Sequence, residues 1–232
     1  MLNAKKHREV MLAILKRIYH KESLRGILGF KGGTAAMLFY NLPRFSVDLD
    51  FDLLDESKKD LVLEEIKKII EPLGTIKDLV EKHFTLFGLL SYGEGQRGVK
   101  IEISKRGSGA RHIMMNYLGS SMLVVVKEDM VACKLAALST RKRFAVRDMY
   151  DMWYFLNNHW DLNADLLSKQ TKVSFRDSYT LAIKRVEAIK EQEMLSGLGE
   201  LLTEKQKVWV KNNLKQELLF LLKLQQELSQ DN

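Results

Sequence analysis

A glycine turn, a short apolar helix and a strand with alternating carboxylates succeed one another in Lys31-Gly-Gly-Thr-Ala-Ala-Met-Leu-Phe-Tyr-Asn-Leu-Pro-Arg-Phe-Ser-Val-Asp-Leu-Asp-Phe-Asp52. No other stretch restricts the fold as tightly. Strand alternation over 45–54 sets Phe45, Val47, Leu49, Phe51 and Leu53 on one face and Ser46, Asp48, Asp50 and Asp52 on the other. The apolar face requires a core beneath it. The acidic face requires cations, basic side chains or water to offset its crowded like charges. Upstream, 26–30 reads as a short buried strand broken by Gly32 and Gly33, and 34–40 as two helical turns ended by Asn41 and Pro43. Glycines let backbone N–H groups approach a phosphate closely, and a phosphate cradle beside paired carboxylates suits metal-assisted chemistry on a nucleotide.

Two rival readings fail on spacing. Asp48-x-Asp-x-Asp begins like a calcium loop, but Leu53 stands where the loop needs glycine and Lys59 where it needs glutamate. A phosphate-binding loop of the Walker type needs Gly-Lys-Ser/Thr after the glycines, whereas Lys31 precedes them. A sugar-nucleotide transferase using Asp-x-Asp with a divalent metal remains open, as does a solvated edge strand with no ligand.

Around this stretch the expected fold class is α/β, a mixed sheet with flanking helices followed by an all-helical C-terminal half. Residues 2–23 form an amphipathic helix with Val10, Leu12, Ile14, Leu15 and Ile18 inward and Lys5, Lys6, Arg8, Lys16, Arg17 and Lys21 outward. A second helix follows Asp55, with Leu61, Leu63, Ile66, Ile69 and Ile70 as its inner stripe and Pro72 and Gly74 at its end. Residues 83–92 and 99–104 form a hairpin around a glycine-rich turn, and 112–118 and 122–126 are further strands. From 127 the pattern turns helical, over 128–138, 148–157, 174–189 and 204–228, with Leu214, Leu218, Leu221 and Leu222 inward on the last. The expected domains are therefore 1–126, α/β, and 127–232, a helical domain contributing to the active-site cleft.

Composition narrows the function classes. The net charge of +7 and pI of about 9.3 fit a polyanionic partner. A single cysteine, Cys133, rules out an intrachain disulfide and a cysteine-based metal site, and suits a cytoplasmic protein. The basic residues Lys16, Arg17 and His20 interrupt any secretory apolar segment, and no apolar run is long enough to span a bilayer. The five histidines are scattered, so oxygen ligands and Mg²⁺ are expected over a histidine site.

Phe30-Lys-Gly-Gly-Thr-Ala-Ala-Met-Leu followed by Arg44-Phe-Ser-Val-Asp-Leu-Asp-Phe-Asp resembles the signature of the AbiEii/AbiGii toxin family. These are nucleotidyltransferase-like proteins related to the MenT toxins, in the DNA polymerase β-type superfamily. Glu128-Asp-Met-Val-Ala-Cys-Lys-Leu-Ala-Ala-Leu and Arg147-Asp-Met-Tyr-Asp151 extend the resemblance to about residue 155. It implies that Asp48 and Asp50 bind metal, with Glu102 on the strand 99–104 as third carboxylate. It implies catalytic roles for Asp48, Asp50, Lys134 and Asp148, with Lys134 aimed at nucleotide phosphate or at the strand carboxylates. Gly32, Gly33 and Thr34 would donate to the triphosphate, with Lys31 and Ser46 beside them. The implied activity is Mg²⁺-dependent transfer of NMP from an NTP to an acceptor, RNA such as the tRNA 3′ end, by the toxin of a toxin–antitoxin pair with a cognate antitoxin. Alternatives are nucleotide or RNA binding without turnover, and modification of a protein or small molecule. The basic first helix and Arg141-Lys-Arg-Phe-Ala-Val-Arg147 are candidate acceptor guides, or merely solvated. Ordinary explanations also exist for Thr34 as a helix cap, Asp148 as a first-turn acid and Asp151 as the partner of an arginine.

Overall fold

The computed structural model describes residues 3–228. The chain divides between Val126 and Lys127 into two compact units. The first holds α1 (Ala4–His20), β1 (Leu28–Lys31), α2 (Gly32–Phe39), β2 (Asp48–Leu53), α3 (Lys59–Ile70) and the strands β3 (Thr75–Glu81), β4 (Thr85–Ser91), β5 (Val99–Ser104), β6 (His112–Tyr117) and β7 (Ser120–Val125). Leu2, where the first helix is expected to begin, lies outside the described residues.

The strands form one mixed seven-stranded sheet in the order β3-β4-β5-β2-β1-β7-β6, which puts β2 in the middle. The strand β2 runs antiparallel to β1, with Lys31 opposite Asp50 and Gly29 opposite Asp52. It runs parallel to β5, with Lys100 beside Asp48, Glu102 beside Asp50 and Ser104 beside Asp52. The solvated-edge reading of the aspartate strand is thereby excluded. The even positions of β2 carry acid because the odd ones, Leu49, Phe51 and Leu53, are buried core. Phe51 packs against Phe30, ring centroids 5.3 Å apart, and faces Tyr19 of α1 at 6.5 Å. The helix α1 thus covers the face opposite the aspartates, burying Val10, Met11, Ile14, Leu15 and Ile18, while Leu12 is only partly covered.

Three local readings change. The ladder starts at Asp48 and not at Phe45, because His7 of α1 intercepts the Val47 carbonyl, Nε2 to O 2.8 Å. The inner stripe of α3 is Val62, Ile66, Ile69 and Ile70, with Leu61 and Leu63 half-covered. Glu65 shares that buried stripe because Lys21 and Lys68 hold its carboxylate at 2.8 and 3.2 Å. The strand β3 had no sequence signal: it lies at the sheet edge, mostly exposed, so its residues show no alternation.

The second unit is helical throughout its described residues: α4 (Lys127–Thr140), α5 (Val146–Asn157), α6 (Ala164–Thr171), α7 (Phe175–Glu187), α8 (Glu204–Trp209) and α9 (Lys215–Leu228). A π turn, Val210–Leu214, joins the last two, so the long expected helix carries one widened turn. Leu214, Leu218 and Leu222 face inward, whereas Leu221 is half-exposed. The helix α6 was not anticipated; Asn163 starts it, accepting from Leu166 N at 3.1 Å while donating to the buried Asp129 at 2.7 Å. Among the described residues no helix is long and apolar enough to cross a membrane.

Candidate active site

The glycine turn and the aspartates meet because β1 and β2 are neighbours. Gly32 is the first residue of α2, with φ of +78°, a backbone conformation that a side chain resists. A Cβ at Gly32 would also collide with Asp50 Oδ2. The Asp50 carboxylate therefore lies against the start of the helix, where backbone N–H groups have no intrahelical acceptor. The glycines open the helix itself instead of preceding it. Thr34, expected as a possible cap, is the third residue of α2 and fully buried. Its hydroxyl donates to the Asp48 carbonyl at 2.5 Å and lies 2.9 Å from Ser46 Oγ. Thr34 and Ser46 thus fasten α2 to the segment entering β2 and fix where Asp48 stands.

Arg44, given no site role from sequence, packs its guanidinium against Gly33 and is only 5% exposed. Its Nη1 donates to the Phe45 carbonyl at 3.0 Å. No strand period could have flagged it, because the ladder begins only at Asp48. His7 was set aside as one of five scattered histidines, yet it is fully buried beneath the entry to β2. Its Nδ1 meets the Tyr92 hydroxyl at 2.8 Å. Burial foremost holds its pKa below the ordinary histidine value, so the ring is neutral at neutral pH.

The three aspartates divide in two. Asp48 and Asp50 are half-exposed, whereas Asp52 is 2% exposed. Lys31 Nζ sits 2.6 Å from Asp52 Oδ1, and Ser108 Oγ donates to Asp52 Oδ2 at 2.9 Å. Lys31, placed with the phosphate donors from sequence, is thus an ion-pair partner of Asp52. Asp52 is a buried member of that network. Glu102 is exposed and stands beside Asp50 in the ladder. Among the described residues no three His, Cys, Asp or Glu side chains are gathered into a ready-made metal site. The donor set still suits a hard cation: two half-exposed carboxylates on one strand face, with a third in register. Mg²⁺ usually takes only one or two carboxylates and fills its remaining positions with water and phosphate oxygens.

In the helical unit, Lys134 of α4 lies 2.8 Å from Asp148 Oδ1 and 2.9 Å from Asp151 Oδ2, both on α5. Arg141 reaches Asp148 Oδ2 at 3.4 Å. Asp148 is a first-turn acid of α5, yet it is buried and ion-paired, so a dipole role alone does not describe it. Asp151, for which sequence suggested an arginine, pairs with Lys134. Of the candidate acceptor guides, α1 is turned away from the aspartate face.

A mixed sheet with paired carboxylates on its middle strand and a glycine-opened helix beside them defines a nucleotidyltransferase-type fold. Solved structures agree on the fold. A Helicobacter pylori protein described as a nucleotidyltransferase has a TM-score of 0.62 at 20% identity, covering 98% of this chain and 96% of that one. A structure of JHP933 from H. pylori has a TM-score of 0.56 at 21% identity, covering 100% of this chain and 99% of that one. An uncharacterized protein of Aquifex aeolicus is 27% identical over 161 residues, 66% of this chain and 69% of the relative. Residues 13–219 match the family described as nucleotidyl transferase AbiEii toxin, type IV toxin–antitoxin system, and the chain belongs to that family. It is a nucleotidyltransferase, as the resemblance in its motifs implied.

Proposed function

We propose that the protein transfers NMP from an NTP to an RNA acceptor, such as the 3′ end of tRNA, with Mg²⁺, as the cytoplasmic toxin of a pair with a cognate antitoxin. The observation that carries this reading is the placement of Asp48 and Asp50 on the middle strand against the glycine-opened start of α2. Bound divalent metal would polarise the triphosphate and lower the pKa of the attacking hydroxyl. Asp48 and Asp50 would hold it, with Glu102 as the neighbouring third carboxylate. The N–H groups at Gly32 and Gly33 would orient phosphate oxygens, since that helix end presents unpaired donors to an anion. Thr34 and Ser46 serve by fixing Asp48, and the buried pairing of Lys134 with Asp148 and Asp151 keeps that ammonium oriented. Family membership supports Lys134 and Asp148 as members of the catalytic set, and the net charge of +7 supports a polyanionic acceptor.

The test is incubation of the purified protein with Mg²⁺, each α-labelled NTP in turn, and total tRNA, beside the Asp48→Ala/Asp50→Ala variant. Label is expected on RNA with the wild type and none with the variant. Label on a protein band would replace the RNA acceptor, and no labelled species with any NTP or acceptor would contradict the reading.

A further inference from the structure

The aspartate face of the sheet continues past Glu102. By register, Phe87 of β4 stands beside Glu102 of β5, as Glu102 stands beside Asp50 of β2. Residues paired in this way point to one face, so Phe87 lies on the aspartate face, two strand spacings or about 10 Å from Asp50. Its neighbours along β4, Leu86 and Gly88, are buried on the other face, while Phe87 is half-exposed. The ammonium of Lys82, an exposed residue, lies over the Phe87 ring, 3.6 Å from its centroid. A second aromatic continues the patch. Phe84, 49% exposed in the turn that joins β3 to β4, has the guanidinium of the exposed Arg106 4.8 Å from its ring centroid. Aromatic rings interleaved with exposed cations suit single-stranded nucleic acid, whose bases stack on the rings while its phosphates meet the charges.

We infer that Phe87 is the platform on which the 3′-terminal base of the RNA acceptor stacks, with Lys82 moving from the ring to the adjoining phosphate. The inference rests on the reading of β2 as the catalytic strand and of RNA as the acceptor. The sides of β2 decide the placement. The glycine-opened start of α2 follows β1, which borders β2 on one side; β5 and then β4 lie on the other. A triphosphate held at Gly32 and Gly33 would lie towards β1. In an in-line displacement the attacking and leaving oxygens lie on opposite sides of the phosphorus. The acceptor hydroxyl therefore enters from the β5 side, past Glu102, and the base beside that hydroxyl comes down on Phe87. The energies favour the exchange at the ring. An exposed ammonium over a phenyl ring shifts an equilibrium by only about two- to fivefold. A stacked base shifts it by about tenfold. The ring thus takes the base, and the displaced ammonium is left beside the phosphate that precedes it in the strand. Every base has a stacking face, so the platform accepts any 3′-terminal nucleotide.

The experiment is fluorescence anisotropy of the full-length protein with a short 5′-labelled single-stranded RNA, without NTP, beside the same RNA lacking its 3′-terminal base. Thermal melting of each variant checks folding. Wild type is expected to bind the intact RNA about tenfold more tightly than the abasic one. Phe87→Leu, which keeps an apolar side chain and loses the ring, is expected to bind both RNAs alike, as weakly as wild type binds the abasic one. Lys82→Ala is expected to keep the preference for the base and to lower the slope of log affinity against log salt by about 0.7. A wild type with no base preference overturns the inference, as does a folded Phe87→Leu that retains the preference, since a ring that only packs the sheet would shift both RNAs equally. An unchanged salt slope in Lys82→Ala overturns the role given to Lys82. Should Phe87→Leu fail to fold, Phe87→Trp decides: its larger ring is expected to raise the base preference, and an unchanged or lower preference overturns the inference. Label transfer to the intact RNA is measured on the same preparation. Transfer without base preference sinks the inference and leaves the reading of function standing, whereas neither binding nor transfer to RNA overturns both.

Discussion

At two places among the described residues aspartates crowd around a lysine, and they are built in opposite ways. On β2 one aspartate of three is buried with Lys31 and the other two are left half-exposed. On the helical unit, Asp148 and Asp151 are both buried, at 3% and 0% exposure, and share Lys134. The strand arrangement leaves two carboxylates partly open to solvent. The helical arrangement consumes its charge internally and joins α4 to α5. Carboxylate count therefore says little about function. What separates the two clusters is how far the fold encloses their carboxylates.

The largest expected effect falls on the strand cluster. Asp48→Ala/Asp50→Ala should lower nucleotidyl transfer by about 10³-fold or more, on the scale of several kcal/mol that a metal contributes to a transition state. Steady-state transfer per folded molecule measures it, with urea unfolding as the check on folding.

Next comes the helical cluster. Lys134→Ala removes the ammonium that two buried carboxylates share and should cost about 3–5 kcal/mol of stability, read from chemical denaturation. A lysine serving only nucleotide would leave the midpoint in place. The buried pairs thus add a loss of stability to the loss of activity that the family resemblance implies for Lys134.

A smaller effect is expected at the link between α2 and β2. Thr34→Val removes the hydroxyl that satisfies the Asp48 carbonyl and should cost about 1–3 kcal/mol, with a fall in transfer from a displaced Asp48. Transfer per folded molecule separates the two contributions.

The smallest is a pH effect from His7, whose pKa in the folded protein is lowered from 6.5, first by burial. The unfolded chain binds this proton more readily, so the stabilising contribution is complete above 6.5 and declines as pH falls from 6.5 towards the folded pKa. Unfolding free energies at successive pH values should show that decline in the wild type, and a shallower one in His7→Gln.

Much of this contrast could be read from the residues, and the remainder had physical reasons for staying hidden. Alternation over 45–54 revealed β2 and its two faces because a half-buried strand must segregate its side chains. The same rule could not separate Asp52 from Asp48 and Asp50, since burial along a strand depends on what its neighbours place above it. Here those neighbours are Lys31, Ser108 and His112. The edge strand β3 had no pattern because little of it is buried. Lys134 stood out as a lysine among apolar residues, but its two acids come from the next helix, and only packing reveals such a pairing. His7 lay on a helix that looked amphipathic and basic, and its contact with Val47 spans forty residues of sequence.

The central claim is that the β2 carboxylates carry the chemistry while Asp151 serves the fold, and Asp50→Asn compared with Asp151→Asn tests it most directly. Transfer of label from an α-labelled NTP would be measured per folded molecule, with the unfolding midpoint of each protein recorded alongside. Asp50→Asn should abolish transfer and leave the midpoint near wild type, whereas Asp151→Asn should lower the midpoint and retain far more transfer. Transfer surviving in Asp50→Asn, or lost equally in a folded Asp151→Asn, would contradict the account.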